Sequence, residues 1–261
     1  MTTPKHNALA LFQKSGLALA SFGLFLAPAT VQAQVSPASP VETGSYLLDW
    51  DEYADTGVEA SQVNTFDIEG GIVDITFLNP ENFASFEGAD TPQINSILNG
   101  DNPDSDQSLH LQIDPEDPFG QITMETRFSG FRKSLVDVSF LLYDVDISNN
   151  SWQDVVTLTG YGSENDLVNP IFEVLGSTYE VDGSELTGNR PADNDGATGN
   201  VRVSFSGING FDLEFADGQG TNSHGIGVGD IEVEDVPEPA AAVALGIFAL
   251  AVFSKRKVTH A

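Results

Sequence analysis

Between residues 45 and 235 the chain is written in short runs of alternating apolar and polar residues, broken repeatedly by Gly, Asn, Asp, Pro and Ser, with helical periodicity nearly absent. A period of two sends successive side chains to opposite faces of a strand, so such runs suit a half-buried sheet and not an amphipathic helix. Candidate strands cover 46–50, 72–78, 109–113, 121–128, 135–146, 154–161, 171–175, 177–181, 200–206, 211–215 and 226–233. About ten strands, without the strand–helix alternation that a parallel sheet needs, predict an all-β fold: an antiparallel β-sandwich, jelly-roll-like in topology. An immunoglobulin-like sandwich or a Greek-key barrel accommodates the same number. The best helix candidate, 91–98, is short. There is no cysteine, so no disulfide staples the domain, and its stability rests on a core that 40% hydrophobic residues and 17 phenylalanines are sufficient to build.

The ends follow other rules. Residues 1–33 hold Lys5 and Lys14 and no acid, then an apolar run over 17–29, then the small-residue exit Val31-Gln32-Ala33. A basic start, a hydrophobic middle and a small-x-small exit make a secretory signal peptide, with cleavage expected between Ala33 and Gln34. Residues 34–44, with Pro37 and Pro40, form a linker to a sandwich domain over 45–235. After it, Val236-Pro237-Glu238-Pro239 precedes the uncharged stretch 240–253 and the basic cluster Lys255-Arg256-Lys257. Fourteen residues of helix reach about 21 Å. That falls short of the ~30 Å hydrocarbon core, so the expected transmembrane segment is a marginal, temporary anchor. The basic cluster directly behind it holds the extreme C-terminus on the cytoplasmic side and leaves the body of the chain outside.

A Pro-Glu-Pro motif, a hydrophobic stretch and a terminal basic cluster, in a chain that also starts with a signal peptide, resemble the PEP-CTERM sorting signal over residues 236–261. The resemblance implies export across the inner membrane of a Gram-negative-type envelope and processing near Pro237, Glu238 and Pro239 by a membrane enzyme of the exosortase type. It implies a destination at the cell surface or in the extracellular polysaccharide matrix. It transfers nothing to the domain in between.

Charge divides the chain in the same way. The region 34–239 carries five basic residues, Arg127, Arg132, Lys133, Arg190 and Arg202, against all 39 acids, a net charge of −34. A nucleic acid is excluded as partner, because holding phosphates needs clustered Lys and Arg. Such a body stays soluble, repels anionic polymers at low salt and attracts divalent cations.

The most informative stretch is 135–161. Alternation puts Val136, Val138, Phe140 and Leu142 on one face that runs on into Asp144 and Asp146, while Val156 and Leu158 share a face with Asp154. If the two runs form a hairpin, Leu142 opposes Leu158, Tyr143 opposes Thr157, and Asp146 opposes Asp154. Opposed carboxylates repel unless something positive lies between them. Calcium, with ~6–8 oxygen ligands, is the candidate, held by Asp144, Asp146 and Asp154, with Asp230 from the last strand and Asn149 or Asn150 from the loop. The same acids equally suit solvated strand ends that blunt a sheet edge. Other acidic clusters are weaker: Asp193-Asn194-Asp195-Gly196 would put Pro191 and Arg202 where an EF-hand loop needs ligands. The Pro-rich acidic stretches 101–106 and 114–117 suit solvated turns.

The segments 140–160, 201–205 and 226–231 also loosely resemble lectin-like sandwich domains of bacterial surface proteins, which implies a binding or adhesive module and names no ligand. Trp50, Tyr143, Trp152 and Tyr161 suit a sugar-stacking platform or, more commonly for such residues, the sandwich core; Trp152 is the first stacking candidate, because it lies in a loop beside the proposed ion. Enzyme signatures are absent: His110 and His224, the histidines of the exported body, sit in no metal pair and beside no nucleophile elbow. The expectation is therefore a non-catalytic exported sandwich that binds calcium and polysaccharide. The alternative is an extracellular carbohydrate-active hydrolase, since a glycosidase needs only two suitably spaced carboxylates.

Overall fold

The computed structural model describes residues 44–86, 89–101, 107–114, 120–148, 151–194, 196–220 and 222–236. The expected signal peptide (with Ala33 and Gln34), the linker 34–43, the sorting motif Pro237, Glu238, Pro239, the anchor 240–253 and the cluster Lys255, Arg256, Lys257 all lie outside these residues, as do Asn149 and Asn150. Among the described residues no helix is long and apolar enough to cross a membrane.

In chain order come β1 (Ser45–Leu48), the single-turn helix α1 (Trp50–Tyr53), β2 (Asn64–Ile68), β3 (Gly71–Leu78), β4 (Ser85–Phe86), β5 (Ala89–Asp90), β6 (Gln93–Asn95) and β7 (Ser108–Ile113). The middle of the chain gives β8 (Gln121–Ser129), β9 (Val136–Tyr143), β10 (Ile147–Ser148), β11 (Trp152–Tyr161), β12 (Leu167–Val168) and β13 (Ile171–Val174). The last part gives β14 (Tyr179–Asp182), β15 (Glu185–Gly188), β16 (Val201–Ile208), β17 (Gly210–Asp217), β18 (His224–Val228) and β19 (Ile231–Asp235). One antiparallel sheet runs β1-β19-β9-β18-β7-β6, with β16 on the other side of β9 and β13 beyond it; the second runs β14-β15-β11-β17-β8-β3-β2. The fold is an all-β sandwich, as the alternation predicts.

Its core is the sum of the inward positions. Val136, Val138, Phe140 and Leu142 of β9 are buried with Val203 and Phe205 of β16, against Ile122 and Met124 of β8 and Phe211, Leu213 and Phe215 of β17. The sheets meet face to face where Phe211 stacks on Phe140 (centroids 5.0 Å apart) and on Phe205 (5.6 Å). Each such side chain stabilises the fold by roughly 1.5–3 kcal/mol relative to an exposed one.

Three expectations are corrected. The runs 135–146 and 154–161 are not one hairpin: Leu142 pairs with Val201 and Val228 in the first sheet, and Leu158 with Leu213 in the second. The chain changes sheets over residues 144–146, and alternation does not distinguish a strand that turns back from one that crosses a sandwich. Only the end of the expected register survives, since Asp154 N donates to Asp146 O at 3.0 Å beside the short β10–β11 pairing. The expected helix 91–98 is replaced by β6, where Ile94 pairs with Leu109. The expected single strand 226–233 is broken after Val228, but both pieces lie along β9. Gly227 faces Tyr143 and Glu232 faces Ser139, so five steps on one strand match four on the other: a β-bulge at Gly229 and Asp230. β2 and β15 escaped the pattern because their inward apolar runs are short, Phe66 and Ile68 in β2 and Leu186 beside Gly188 in β15.

Candidate functional site

The sheet crossing has a specific local chemistry. Asp144 takes a left-handed backbone (φ 64°), a conformation open to Asp more readily than to most residues. The segment then squeezes between two glycines: a Cβ on Gly199 would lie 2.8 Å from Asp144 Cα, and one on Gly188 only 1.8 Å from Asp146 O. Val145 N donates to Gly199 O (3.2 Å), and Thr178 Oγ1 donates to Val145 O (2.8 Å). The carboxylates therefore hang from a pinned backbone.

Around them lies a buried acid–imidazole cluster. Asp154 is 0% exposed; its Oδ2 accepts Asp146 N at 2.9 Å and its Oδ1 meets His224 Nδ1 at 2.5 Å. Asp217 faces Asp154 directly across the β11–β17 ladder. Its Oδ1 accepts Gln153 N (3.0 Å) and Gln219 N (3.1 Å) and stands 3.7 Å from His224 Nε2. Asp146 Oδ2 accepts Ala192 N at 2.5 Å. Asp146 Oδ1, Asp217 Oδ2 and His224 Nε2 are buried and find no hydrogen-bond partner among the described residues.

Burial governs the protons. It pushes Asp146 up to about 7, against the pull of the Ala192 N–H and with help from the charge of Asp154. Asp154 is raised well above the usual carboxylate range by the same cause, and His224 falls to about 4, although Asp217 and Asp146 both favour its charged form. One proton shared between Asp154 and His224 satisfies their short contact, and protonation of the acids relieves the opposed charges that the sequence raised as a difficulty.

Calcium does not fit this set. Both oxygens of Asp154 are engaged by protein donors. The group that bridges Asp154 and Asp217 is an imidazole, whereas calcium takes oxygen ligands. Among the described residues no three His, Cys, Asp or Glu side chains converge as a metal-ligand group. Asp230 belongs elsewhere: its Oδ1 accepts Trp50 N (2.9 Å), while the carbonyl of Gly229, its neighbour in the bulge, takes the Trp50 indole N–H (2.9 Å). That carboxylate fastens α1 to the bulge.

Trp152, Asp144 and His224 do come together. They line, with His110 and Gln112, a recess of about 90 Å³. Trp152 lies parallel on the His224 ring (centroids 5.7 Å, 4° between planes), and Phe215 meets the same ring edge-on at 5.1 Å. Trp152 is half-buried, with one face covered by imidazole. His110 is 0% exposed and depressed by burial; Asn95 Nδ2 lies 3.2 Å from its Nδ1 and Gln112 Oε1 lies 3.1 Å from its Nε2, which assigns the proton to Nε2. Both histidines, unremarkable in the sequence, thus belong to this end of the sandwich. Their scarcity was the one available signal: a body with two histidines places both, buried, on one recess. Chemically the arrangement stores and shares protons. A recess of this size admits water, and it is well below the ~300 Å³ at which sites for small organic ligands begin.

No family model matches the chain, and no curated protein matches it.

Proposed function

We propose that the chain is an exported envelope or matrix protein, carried out by its signal peptide and held briefly by its C-terminal segment. An exosortase-type enzyme processes it near Pro237, Glu238 and Pro239, and it is then displayed at the cell surface or in the extracellular polysaccharide. Its sandwich, jelly-roll-like in this reading, serves as a non-catalytic module that retains polysaccharide. The observation that supports the non-catalytic part is the enclosure of the acid cluster. Asp146, Asp154 and Asp217 accept backbone N–H groups, and Asp154 also meets His224, beside a recess of about 90 Å³ that no sugar ring enters. The inner cluster lacks the open cleft that the two carboxyl groups of a hydrolase need.

Two measurements test this. The native protein, produced with and without its last 25 residues, is fractionated between membrane, surface and medium, and the mass of the mature C-terminus is read. The expected result is a C-terminus trimmed close to Pro237 and loss of surface retention in the truncated chain. A cytosolic protein with both ends intact overturns the reading. The chain is also passed over the extracellular polysaccharide of the producing cell. Retention without release of reducing ends is expected; turnover that disappears on neutralising one carboxylate transfers the assignment to a hydrolase.

A further inference from the structure

The outer face of the second sheet carries a different kind of depression. Arg127 on β8, Gly210 on β17 and Tyr161 on β11 stand in one row across three strands, and Glu125 and Asp212 oppose each other in the next row. Gly210 makes room for the Arg127 side chain beside it: a Cβ there would lie 2.7 Å from Arg127 Cδ and 2.6 Å from Thr126 O. In the space left by the missing side chain the Arg127 guanidinium lies 5.0 Å over the Tyr161 ring. Arg127 Nη1 donates to Asp212 Oδ1 (2.8 Å), Nη2 to Glu125 Oε1 (3.4 Å), and the Tyr161 hydroxyl donates to Asp212 Oδ2 (2.5 Å). Asn165 and Asn209 complete the wall, and among the described residues no side-chain hydrogen bond engages either amide. Asn165 is held in position by two successive left-handed residues, Glu164 (φ 57°) and Asn165 (φ 64°), a costly arrangement for non-glycine residues. The hollow measures about 490 Å³ and is open to solvent, within the size range of small-ligand sites.

We propose that this hollow is a subsite for a neutral saccharide, with Asn165 and Asn209 reading its hydroxyl groups, the Tyr161–Asp212–Arg127 network fixing the wall, and the Tyr161 ring supplying carbon surface. The ligand class follows from the donors. A sugar hydroxyl both donates and accepts, and a free carboxamide offers both functions in one plane. An anionic polymer is repelled by a body of net charge −34 and finds Arg127 already engaged by two acids. A cation meets the guanidinium at the centre of the hollow.

The inference rests on the polysaccharide-retaining reading and deepens it. The test uses the full chain, a panel of neutral hexaoses of glucose, mannose, galactose and xylose, and the matrix polymer of the producing cell. In the variant Asn165→Gly/Asn209→Ala, in which glycine keeps the left-handed backbone at 165 without strain, affinity for the bound hexaose falls at least tenfold. Tyr161→Phe, which keeps the ring and removes the hydroxyl, weakens it several-fold, and Trp152→Ala at the far recess leaves it unchanged. Polymer retention that persists unaltered in the double variant overturns this subsite and leaves the polysaccharide reading intact. Loss of binding in Trp152→Ala with full binding in the double variant likewise overturns it. A parent chain that binds a hexaose at the hollow but not the matrix polymer keeps the subsite and removes matrix retention; a parent chain that binds neither removes both.

Discussion

Strand β17 carries one acid into each of two contrasting neighbourhoods. Asp217 faces Asp154 on the inside of the sandwich with His224 between them, and Asp212 faces Glu125 on the outside with Arg127 between them. The composition is nearly the same: two opposed carboxyl groups and one base. Burial separates them. Inside, desolvation drives Asp154 and the imidazole alike toward their neutral forms, and those two share a proton across their short contact. Outside, where the Arg127 side chain is 43% exposed, water screens the charges and the acids pair with a guanidinium instead of sharing a proton. The lesson is that parity along one strand decides whether an acid acts as structure or as surface.

The sharpest way to break this contrast is to truncate each member. Asp154→Ala leaves Asp146 N and His224 Nδ1 buried without their partner, and the expected loss is about 3–5 kcal/mol by urea denaturation. The isosteric Asp154→Asn, which still accepts from Asp146 N and offers an N–H to His224, is expected to cost far less. If alanine costs no more than asparagine, the cluster is not holding this end together.

The pH dependence comes next. Between about pH 4 and 7 the folded chain keeps protons on Asp146 and Asp154 that unfolded carboxyls release near ~3.9, so stability falls as pH rises. His224 works in the opposite direction between about pH 4 and ~6.5, where only the unfolded imidazole is protonated, but two acids outweigh one base. The melting temperature is therefore expected to decline from mildly acidic pH through pH 7, with a shallower slope in Asp146→Asn. A melting temperature that climbs across this interval contradicts the assigned protonation.

The outer pair supplies the smaller effect. Arg127→Ala is expected to change stability by less than ~1 kcal/mol, with any loss reduced further in high salt. A loss as large as that of Asp154→Ala erases the distinction between the two neighbourhoods. Smallest of all, millimolar calcium at physiological salt is expected to leave the melting temperature where it is; an upward shift of several degrees restores the ion to the inner cluster.

Much of the fold was legible because alternation is a local property. β3, β8, β11 and β17 were visible from their own residues, and so was the meeting of Asp146 with Asp154 across a short turn. What was hidden depends on distant partners. The sheet change at Asp144 is imposed by Gly188 and Gly199, each more than forty residues away, and the roles of Asp217 and His224 arise only when β17 and β18 reach β11. Asp230 was assigned to an ion because its neighbours are strand-like; that it serves a bulge became evident only with Trp50 beside it. The seat of Arg127 over Gly210 has no linear signature either, since an absent side chain is informative only once the strands on both sides are known.

The first and last strands of the body lie side by side: Ser45 faces Glu234, and Asp235 N donates to Gly44 O at 3.0 Å. Entry and exit of the domain thus share one corner. On the reading that the chain is tethered through its C-terminal segment, a pull on residue 236 along β19 loads the hydrogen bonds to β1 and β9 together, in shear, because they run perpendicular to the strand. The domain would hang from its membrane like a flag gripped along a seam, resisting drag with a whole row of bonds at once.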